Sequence, residues 1–190
     1  GDIFYLLAKT YEKLDLLEDA NKYIIKSIET DKKNTEYRDF QKSLELLKNG
    51  LKSAKKTYDS GYIEESKSEY LELLNKFPQN AIIYYNIGLV DKKSKNYDYA
   101  IENYRKALNL NPFEEKYSKA ISVIAQIITK NGDEEFRRKE YDSALEFYNK
   151  AIIYKPDYSD ALFRLAKTYY TIREIKQAEL WVEKTLTQER

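Results

Sequence analysis

The sequence contains no cysteine, no histidine and no methionine, and it has only five glycines and three prolines among 190 residues. Without cysteine there can be no disulfide bond and no thiolate metal site, and without histidine the commonest general base and metal ligand is missing. The scarcity of glycine and proline favours long helices with few turns. No apolar stretch approaches the roughly 18 residues of a membrane-spanning helix.

The charges almost cancel, since 33 basic residues stand against 32 acidic ones and give a net charge of +1. This balance argues against a polyanion such as a nucleic acid as the partner. Hydrophobic residues make up 42% of the chain, which is enough to bury a core. Position 1 is glycine, so we expect the chain to be part of a longer protein. The compartment stays unknown: a cytoplasmic setting is slightly favoured, with periplasmic or surface-anchored settings left open.

An internal repeat is visible around the three prolines. The segments "NYDYAIENYRKALNLNP" and "EYDSALEFYNKAIIYKP" share tyrosine, alanine and proline at the same offsets and end at Pro112 and Pro156. A small residue lies twelve positions before each proline, and another small residue lies twelve positions before that one. Five pairs of small residues have this twelve-residue spacing: Ala8–Ala20, Ala54–Ser66, Gly88–Ala100, Gly132–Ala144 and Ala166–Ala178.

The spacing is typical of two antiparallel helices in close contact. Apolar residues within each segment recur at i, i+3, i+4 and i+7, as in an amphipathic helix. A small residue on each of two consecutive helices allows the backbones to approach, and the proline marks the end of the second helix because it cannot continue it. The fixed positions are therefore the contact positions.

This arrangement resembles the tetratricopeptide repeat family, in which helix-turn-helix units of about 34 residues stack on one another. The resemblance implies an all-α, right-handed solenoid of about five repeats in a single domain. The expected repeats are 1–34, 35–80, 81–112, 113–156 and 157–190. The third repeat fits the family pattern best, through Tyr84, Ile87, Gly88, Tyr97, Ala100, Tyr104, Ala107 and Pro112.

Two of these repeats carry about a dozen extra residues, near 35–46 and 113–124, and each extra segment has its own apolar stripe. We interpret them as N-terminal extensions that lengthen the first helix to about 24 residues. Asn49-Gly50 and Asn131-Gly132 could instead end one helix and begin another. The extra stripes could lie against neighbouring repeats, or they could form a protruding clasp or a dimer surface.

Asp91 departs from the family pattern in another way. It stands where the family usually has a buried tyrosine. We expect its carboxylate to reach solvent at the end of the helix. The alternative is a partnered charge with a binding role.

Catalytic motifs are absent from the sequence, which has no GxxxxGK[ST], GxGxxG or GxSxG segment. We therefore predict no catalytic residue, no metal site and no cofactor. The family resemblance implies a protein-interaction scaffold, whose first helices line a concave groove that holds a peptide or a partner helix. The alternative is an architectural or oligomerisation module that contacts partners, or itself, through the extended helices.

The resemblance also implies which side chains face the groove. The candidates are Tyr5, Lys9, Lys55, Tyr58, Tyr85, Leu89, Lys92, Phe136, Phe163, Lys167 and Tyr170. Aromatic residues and lysines alternate in this set, which suits a partner with apolar anchors and some acidic character. We expect Tyr85, Leu89 and Lys92 to be its energetic centre.

Overall fold

The computed structural model describes residues 1–188, which form ten α-helices and no β-strand. The helices are α1 (Asp2–Lys13), α2 (Leu17–Thr30), α3 (Thr35–Asp59), α4 (Ile63–Lys76), α5 (Ala81–Lys93), α6 (Tyr97–Leu110), α7 (Glu115–Arg137), α8 (Tyr141–Tyr154), α9 (Ser159–Thr171) and α10 (Ile175–Gln188). The all-α prediction is confirmed. The chain divides into a first compact unit, Gly1–Ser118, and a second that begins at Lys119.

Consecutive helices pair through short turns in both units. In the first unit α1 pairs with α2, α3 with α4 and α5 with α6, and these pairs meet through α2 with α3 and α4 with α5. In the second unit α9 pairs with α10, and α8 contacts α9. The repeat boundaries, the number of repeats and the hand of a solenoid stay predictions.

The turn inside each pair has the same backbone geometry. One residue per turn has a positive φ of 60–89°, in the left-handed region: Asp15, Gly61, Lys95, Lys139 and Arg173. The next amide donates back across the turn, as Asn96 N does to the carbonyl of Asp91 at 2.8 Å, which satisfies a carbonyl at the helix end. Only Gly61 is a glycine, so the glycine signal that usually predicts such a turn is missing at the other four.

The two long helices are continuous. Helix α3 has 25 residues and α7 has 23, and neither is interrupted at Gly50 or Gly132. In the first unit, Tyr37 and Leu44 from the extension of α3 are buried in one cluster with Ala8 and Ala20. The first helix pair therefore covers this stripe. This agrees with the interpretation that the extra stripe lies against a neighbouring repeat.

The small residues predicted from the twelve-residue spacing all lie in the interior. Ser66 Oγ donates a hydrogen bond of 2.9 Å to the carbonyl of Ala54, directly across a helix pair. A Cβ atom added at Gly88 would lie 2.5 Å from the ring of Tyr104 and 3.2 Å from the carbonyl oxygen of Ala100. The helices are therefore closer at this point than any residue larger than glycine permits.

The expectation for Asp91 was wrong. Its carboxylate is buried, with Oδ1 2.5 Å from Nζ of Lys67, and Asn103 Nδ2 donates to Oδ2 at 3.2 Å. A carboxylate can be buried when a counter-charge and hydrogen bonds replace water. Helices α4 and α6 supply both from either side of α5, which the sequence of α5 alone could not reveal.

A polar contact also joins distant parts of the first unit. Asp15, in the turn between α1 and α2, accepts hydrogen bonds from the hydroxyl of Tyr117 at 2.5 Å and from Asn111 Nδ2 at 2.9 Å. Burial and the bond to Asp15 raise the pKa of Tyr117. The residues are about a hundred positions apart in the chain, so this contact depends on the tertiary structure.

We expect Gly88→Ala to lower the free energy of unfolding by about 1–3 kcal/mol, because the new methyl group overlaps the rigid, buried Tyr104 ring. Gly50→Ala is the matched control. Its methyl group meets only the flexible end of Leu73, and the substitution gains up to about 1 kcal/mol of helix propensity. Urea unfolding of both variants is the measurement, and equal stabilities would contradict the close approach at Gly88.

We expect Lys67→Met to lower the free energy of unfolding by about 1–3 kcal/mol, because the Asp91 carboxylate loses its counter-charge while still buried. Lys106→Met removes the exposed pair with Glu102 and should cost less than about 0.5 kcal/mol. Adding Asp91→Asn to Lys67→Met should recover part of the loss. A double-mutant cycle without coupling would rule out the buried ion pair.

Candidate functional site

The predicted partner-binding residues all lie on the first helix of a pair. In the first unit they occupy α1, α3 and α5, and in the second unit they occupy α7 and α9. Their surroundings differ. Several of the aromatic rings pack inside the protein, whereas most of the lysines and the aromatic residues of α9 are exposed.

Tyr5 connects α1 to the extended part of α3. Its ring centroid lies 5.0 Å from that of Tyr37 and 5.5 Å from that of Phe40, and its hydroxyl donates to Glu36 at 2.9 Å. Burial, followed by the bond to Glu36, raises the pKa of Tyr5 to about 12. Lys9 Nζ lies 5.1 Å from the centre of the Tyr5 ring, and the Lys9 side chain is exposed.

Tyr85 is half-buried in an aromatic cluster. Its ring lies 5.6 Å from that of Tyr104 and 5.2 Å from that of Tyr117, and burial raises the pKa of its hydroxyl. Leu89 and Lys92 follow one and two turns later and are partly exposed. The role of Tyr85 as an energetic centre of binding stays a prediction, and much of its ring serves the contact between α5, α6 and the start of α7.

The residues on α3 combine an ion pair with a covered ring. Lys55 Nζ lies 2.6 Å from the carboxylate of Asp59, and both side chains are exposed. Tyr58 packs against the core of the first unit, and Lys93 Nζ lies 4.7 Å from its ring centre. A lysine over a tyrosine ring thus occurs on α3 as it does on α1, an arrangement stabilised by cation–π attraction.

Helix α9 presents the most exposed aromatic residues of the predicted set. Phe163 is 56% exposed and Tyr170 is 69% exposed. Lys167 lies between them, at the spacing i, i+4, i+7 that places all three on one helix face. We call this the α9 face: Phe163, Lys167 and Tyr170. Lys167 Nζ also lies 5.4 Å from the ring centre of Phe136 on α7, while Phe136 itself is partly buried.

Polar contacts connect α9 to α7 and α8. Asp133 on α7 accepts a hydrogen bond of 2.9 Å from the hydroxyl of Tyr148, and Arg164 Nε lies 2.6 Å from the same carboxylate oxygen. Burial and the bond to Asp133 raise the pKa of Tyr148. The sequence alone does not connect these three residues, because they lie on three different helices and have no common motif.

Two further observations concern the kind of site. Among residues 1–188, no group of three or more Asp and Glu side chains is arranged to hold a metal ion. In the same range, no helix combines the length and apolarity that crossing a membrane requires.

We expect the free energy of unfolding to decrease less at high pH in Tyr5→Phe than in the wild type. The folded-state pKa of Tyr5 is about 12 against an ordinary value of 10, so its contribution is complete below pH 10 and disappears as the pH rises through 12. Urea unfolding at pH 8 and pH 11 is the measurement, and the difference should be smaller in Tyr5→Phe. Tyr170→Phe, the same substitution at an exposed ring, is the control. Identical pH dependence in wild type and Tyr5→Phe would contradict the assignment.

Three segments of the chain match tetratricopeptide repeat families. Residues 1–34 and 81–113 each match a family described as "Tetratricopeptide repeat", and residues 132–172 match one described as "TPR repeat". These segments include three of the five small-residue pairs, Ala8–Ala20, Gly88–Ala100 and Gly132–Ala144. The predicted family is therefore confirmed.

Curated relatives match part of the chain. It is 27% identical to "Photosystem I assembly protein Ycf3" of Cuscuta obtusiflora, over 57% of this chain and 73% of that protein. It is also 27% identical to the protein of that name from Synechococcus elongatus, over 53% of this chain and 66% of that protein. "Uncharacterized protein ycf37" of Guillardia theta is 29% identical, over 50% of this chain and 51% of that protein.

Solved structures show lower similarity. "Crystal structure of MamA" is 20% identical and covers 96% of this chain and 94% of that chain, with a TM-score of 0.35. The structure titled "Functional Characterization of Pseudomonas Aeruginosa pilF" is 16% identical and covers 98% of this chain and 75% of that chain, with a TM-score of 0.33. These TM-scores are too low to establish a shared arrangement of the helices.

The helix pairs, the buried small residues and the three matched segments agree, and the chain belongs to the tetratricopeptide repeat proteins, which mediate interactions between proteins.

Proposed function

We propose that the chain holds a partner protein non-covalently, and that the α9 face is a principal contact in the second unit. The occupant is a helix or an extended segment with apolar anchors and an acidic residue. The observation that carries the proposal is the exposure of Phe163 and Tyr170 on one helix face, with Lys167 between them.

The chemistry of the α9 face fits this role. Aromatic side chains supply large contact areas at a low cost in conformational entropy, and they dominate the energetics of protein interfaces. Lys167 offers a charge at the centre of the face, where a partner carboxylate would be attracted and its orientation fixed. The contacts among Asp133, Tyr148 and Arg164 hold α9 in place, so little conformational entropy would be lost on binding.

The first unit offers a second contact surface of the same kind. Lys9, Lys55, Leu89 and Lys92 are exposed or partly exposed on its first helices, and we propose that they contribute a basic, partly apolar surface. The nearly neutral chain favours a protein rather than a nucleic acid as the partner, because a nucleic-acid surface needs a large excess of positive charge. No chemical step is part of the proposal. The relatives named as Photosystem I assembly proteins are consistent with a function that consists of holding another protein.

Self-association through the extended helices receives less support than groove binding. Tyr37, Leu44 and Leu47 of α3 are buried, and so are Ile124 and Ile128 of α7. An apolar stripe that is already covered leaves little area for a further interface.

We expect the double variant Phe163→Ala/Tyr170→Ala to weaken binding of a partner peptide at least tenfold, about 1.4 kcal/mol. The probe is a peptide selected on the wild-type chain from a displayed random library and measured by fluorescence anisotropy. Helicity should not change, because both side chains are exposed.

The matched control is Phe113→Ala/Tyr62→Ala, which removes the same two residue types from other exposed positions and should leave the affinity unchanged. If both double variants bind as wild type does, the α9 face is not the contact surface. If both lose affinity equally, the effect is not specific to α9.

A further inference from the structure

Asp15 carries a carboxylate without a counter-charge. Its Oδ2 accepts hydrogen bonds from the neutral Tyr117 hydroxyl and from Asn111 Nδ2. Among residues 1–188, no lysine or arginine forms an ion pair with this carboxylate, whereas Lys67 is paired with the buried Asp91. Charges attract one another more strongly away from bulk water, so a cation near Asp15 gains more than it would near a fully exposed aspartate.

Two buried oxygen atoms at this contact accept no hydrogen bond from the described residues. They are Asp15 Oδ1 and Asn111 Oδ1, and Asn111 as a whole is only 2% exposed. Buried acceptors in proteins are nearly always paired with a donor, because an unpaired acceptor loses its hydration without compensation. These two atoms therefore favour a ligand that brings hydrogen-bond donors.

Asn111 is also part of the wall of a small cavity in the first unit. The cavity has a volume of about 210 Å³ and is lined by Leu14, Leu16, Asn111, Phe113 and Glu114; we call it the turn cavity. Leu14 and Leu16 flank Asp15 in the chain, and Asn111 is bonded to its carboxylate, so the negative charge is close to the cavity. Pockets for drug-sized ligands measure about 300–1,000 Å³, so the turn cavity suits a single side chain.

The walls of the turn cavity are largely apolar. Leu14, Leu16 and Phe113 contribute hydrocarbon surface, and Leu16 is 45% exposed and Phe113 is 83% exposed. The methylene groups of lysine and arginine lie readily along such surfaces while the charged end reaches a polar group. The walls therefore match an aliphatic stem that ends in a donor.

Glu114 adds a second negative charge to the turn cavity. Its carboxylate lies 3.3 Å from Lys116 Nζ. Burial and the bond to Asp15 raise the pKa of Tyr117, and the charge of Glu114 contributes to the same shift, so both carboxylates act on one place. One positive charge thus stands against two negative ones, which favours a cationic ligand.

We propose that the turn cavity binds the side chain of a lysine or an arginine from a partner protein. The aliphatic stem lies against the apolar walls, and the charged end lies beside Asn111, close to the carboxylates of Asp15 and Glu114. A metal ion fits less well, because hard cations take about six oxygen ligands and no three acidic side chains within residues 1–188 are arranged to hold one. The turn cavity belongs to the first unit, and the proposal is independent of the α9 face.

The test is a titration of the full chain with Nα-acetyl-lysine methylamide up to about 20 mM, followed by NMR through the backbone amide shifts of Leu14, Leu16 and Phe113. Single side chains bind weakly, so we expect a dissociation constant in the millimolar range. Nα-acetyl-norleucine methylamide has the aliphatic stem without the charge and should bind at least about tenfold more weakly. Nα-acetyl-arginine methylamide is the second cationic probe, and saturable binding of either cationic probe supports the proposal.

Asp15→Asn should weaken binding of the cationic probe at least about fivefold. It removes the charge, and asparagine adopts the left-handed conformation that Asp15 has, with a φ of 62°. Glu114→Gln should weaken binding as well. Asp39→Asn is the matched control, because it removes an exposed carboxylate of α3 and should bind as the wild type does. Circular dichroism reports whether each variant is folded, and if Asp15→Asn is not, Glu114→Gln decides.

Four results would overturn the proposal. If neither cationic probe gives saturable shifts, the turn cavity is not a site. If the norleucine probe binds as tightly as the cationic probes, only the apolar walls matter. If Asp39→Asn weakens binding as much as Asp15→Asn does, the attraction is a general property of the chain. If folded Asp15→Asn and Glu114→Gln both bind as the wild type does, these carboxylates do not hold the ligand.

Discussion

Close approach of paired helix backbones is the constraint on which the rest of this structure depends. At Gly88 the neighbouring helix leaves no room for even one methyl group, and at Gly132 the ring of Tyr148 takes the same space. Because the backbones are this close, the ring of an aromatic residue four positions after the second small residue fills the gap beside the contact. Three helix pairs therefore combine small residues at the contact with a buried tyrosine beside it, Tyr70, Tyr104 or Tyr148. A larger residue at the contact would separate the helices and expose the neighbouring tyrosines. The burial of the large side chains therefore depends on the small ones.

The abundant tyrosines illustrate how one residue type serves both the interior and the surface. Tyr104 and Tyr148 are buried beside the small residues, whereas Tyr170 lies in solvent on α9. Tyr5 and Tyr58 have intermediate positions, each with one side in the core and a lysine over the ring. Aromatic rings with a polar hydroxyl suit such boundaries, because the ring contributes apolar contact while the hydroxyl finds a hydrogen-bond partner or water. The proposed interaction surface is therefore an outward continuation of the residues that form the core.

The sequence pattern predicted the helices well because their determinants are local and repeated. The twelve-residue spacing located the contacts, and the apolar stripes of α3 and α7 predicted helices whose observed lengths are 25 and 23 residues. It predicted the turns less well, since four of the five left-handed residues are not glycine. It was wrong about Asp91, because Lys67 and Asn103 lie on other helices. For the candidate site, the location of each residue on a first helix was predictable. The half-burial of the Tyr85 side chain and the exposure of the Phe163 side chain were not, because they depend on neighbouring helices that no local pattern encodes.

The amino-acid sequence by itself determined the all-α class, the tetratricopeptide family and the identity of the close contacts. These follow from the period of small and apolar residues along the chain, which is a one-dimensional property. The tertiary structure alone decided which polar groups meet: Asp15 with Tyr117, Asp91 with Lys67, and Asp133 with Arg164. It also decided which apolar positions are covered, so that Ile83 is buried whereas Phe163 is 56% exposed. Burial and pairing depend on what lies beside a residue in space, which the spacing of residue types along the chain does not record.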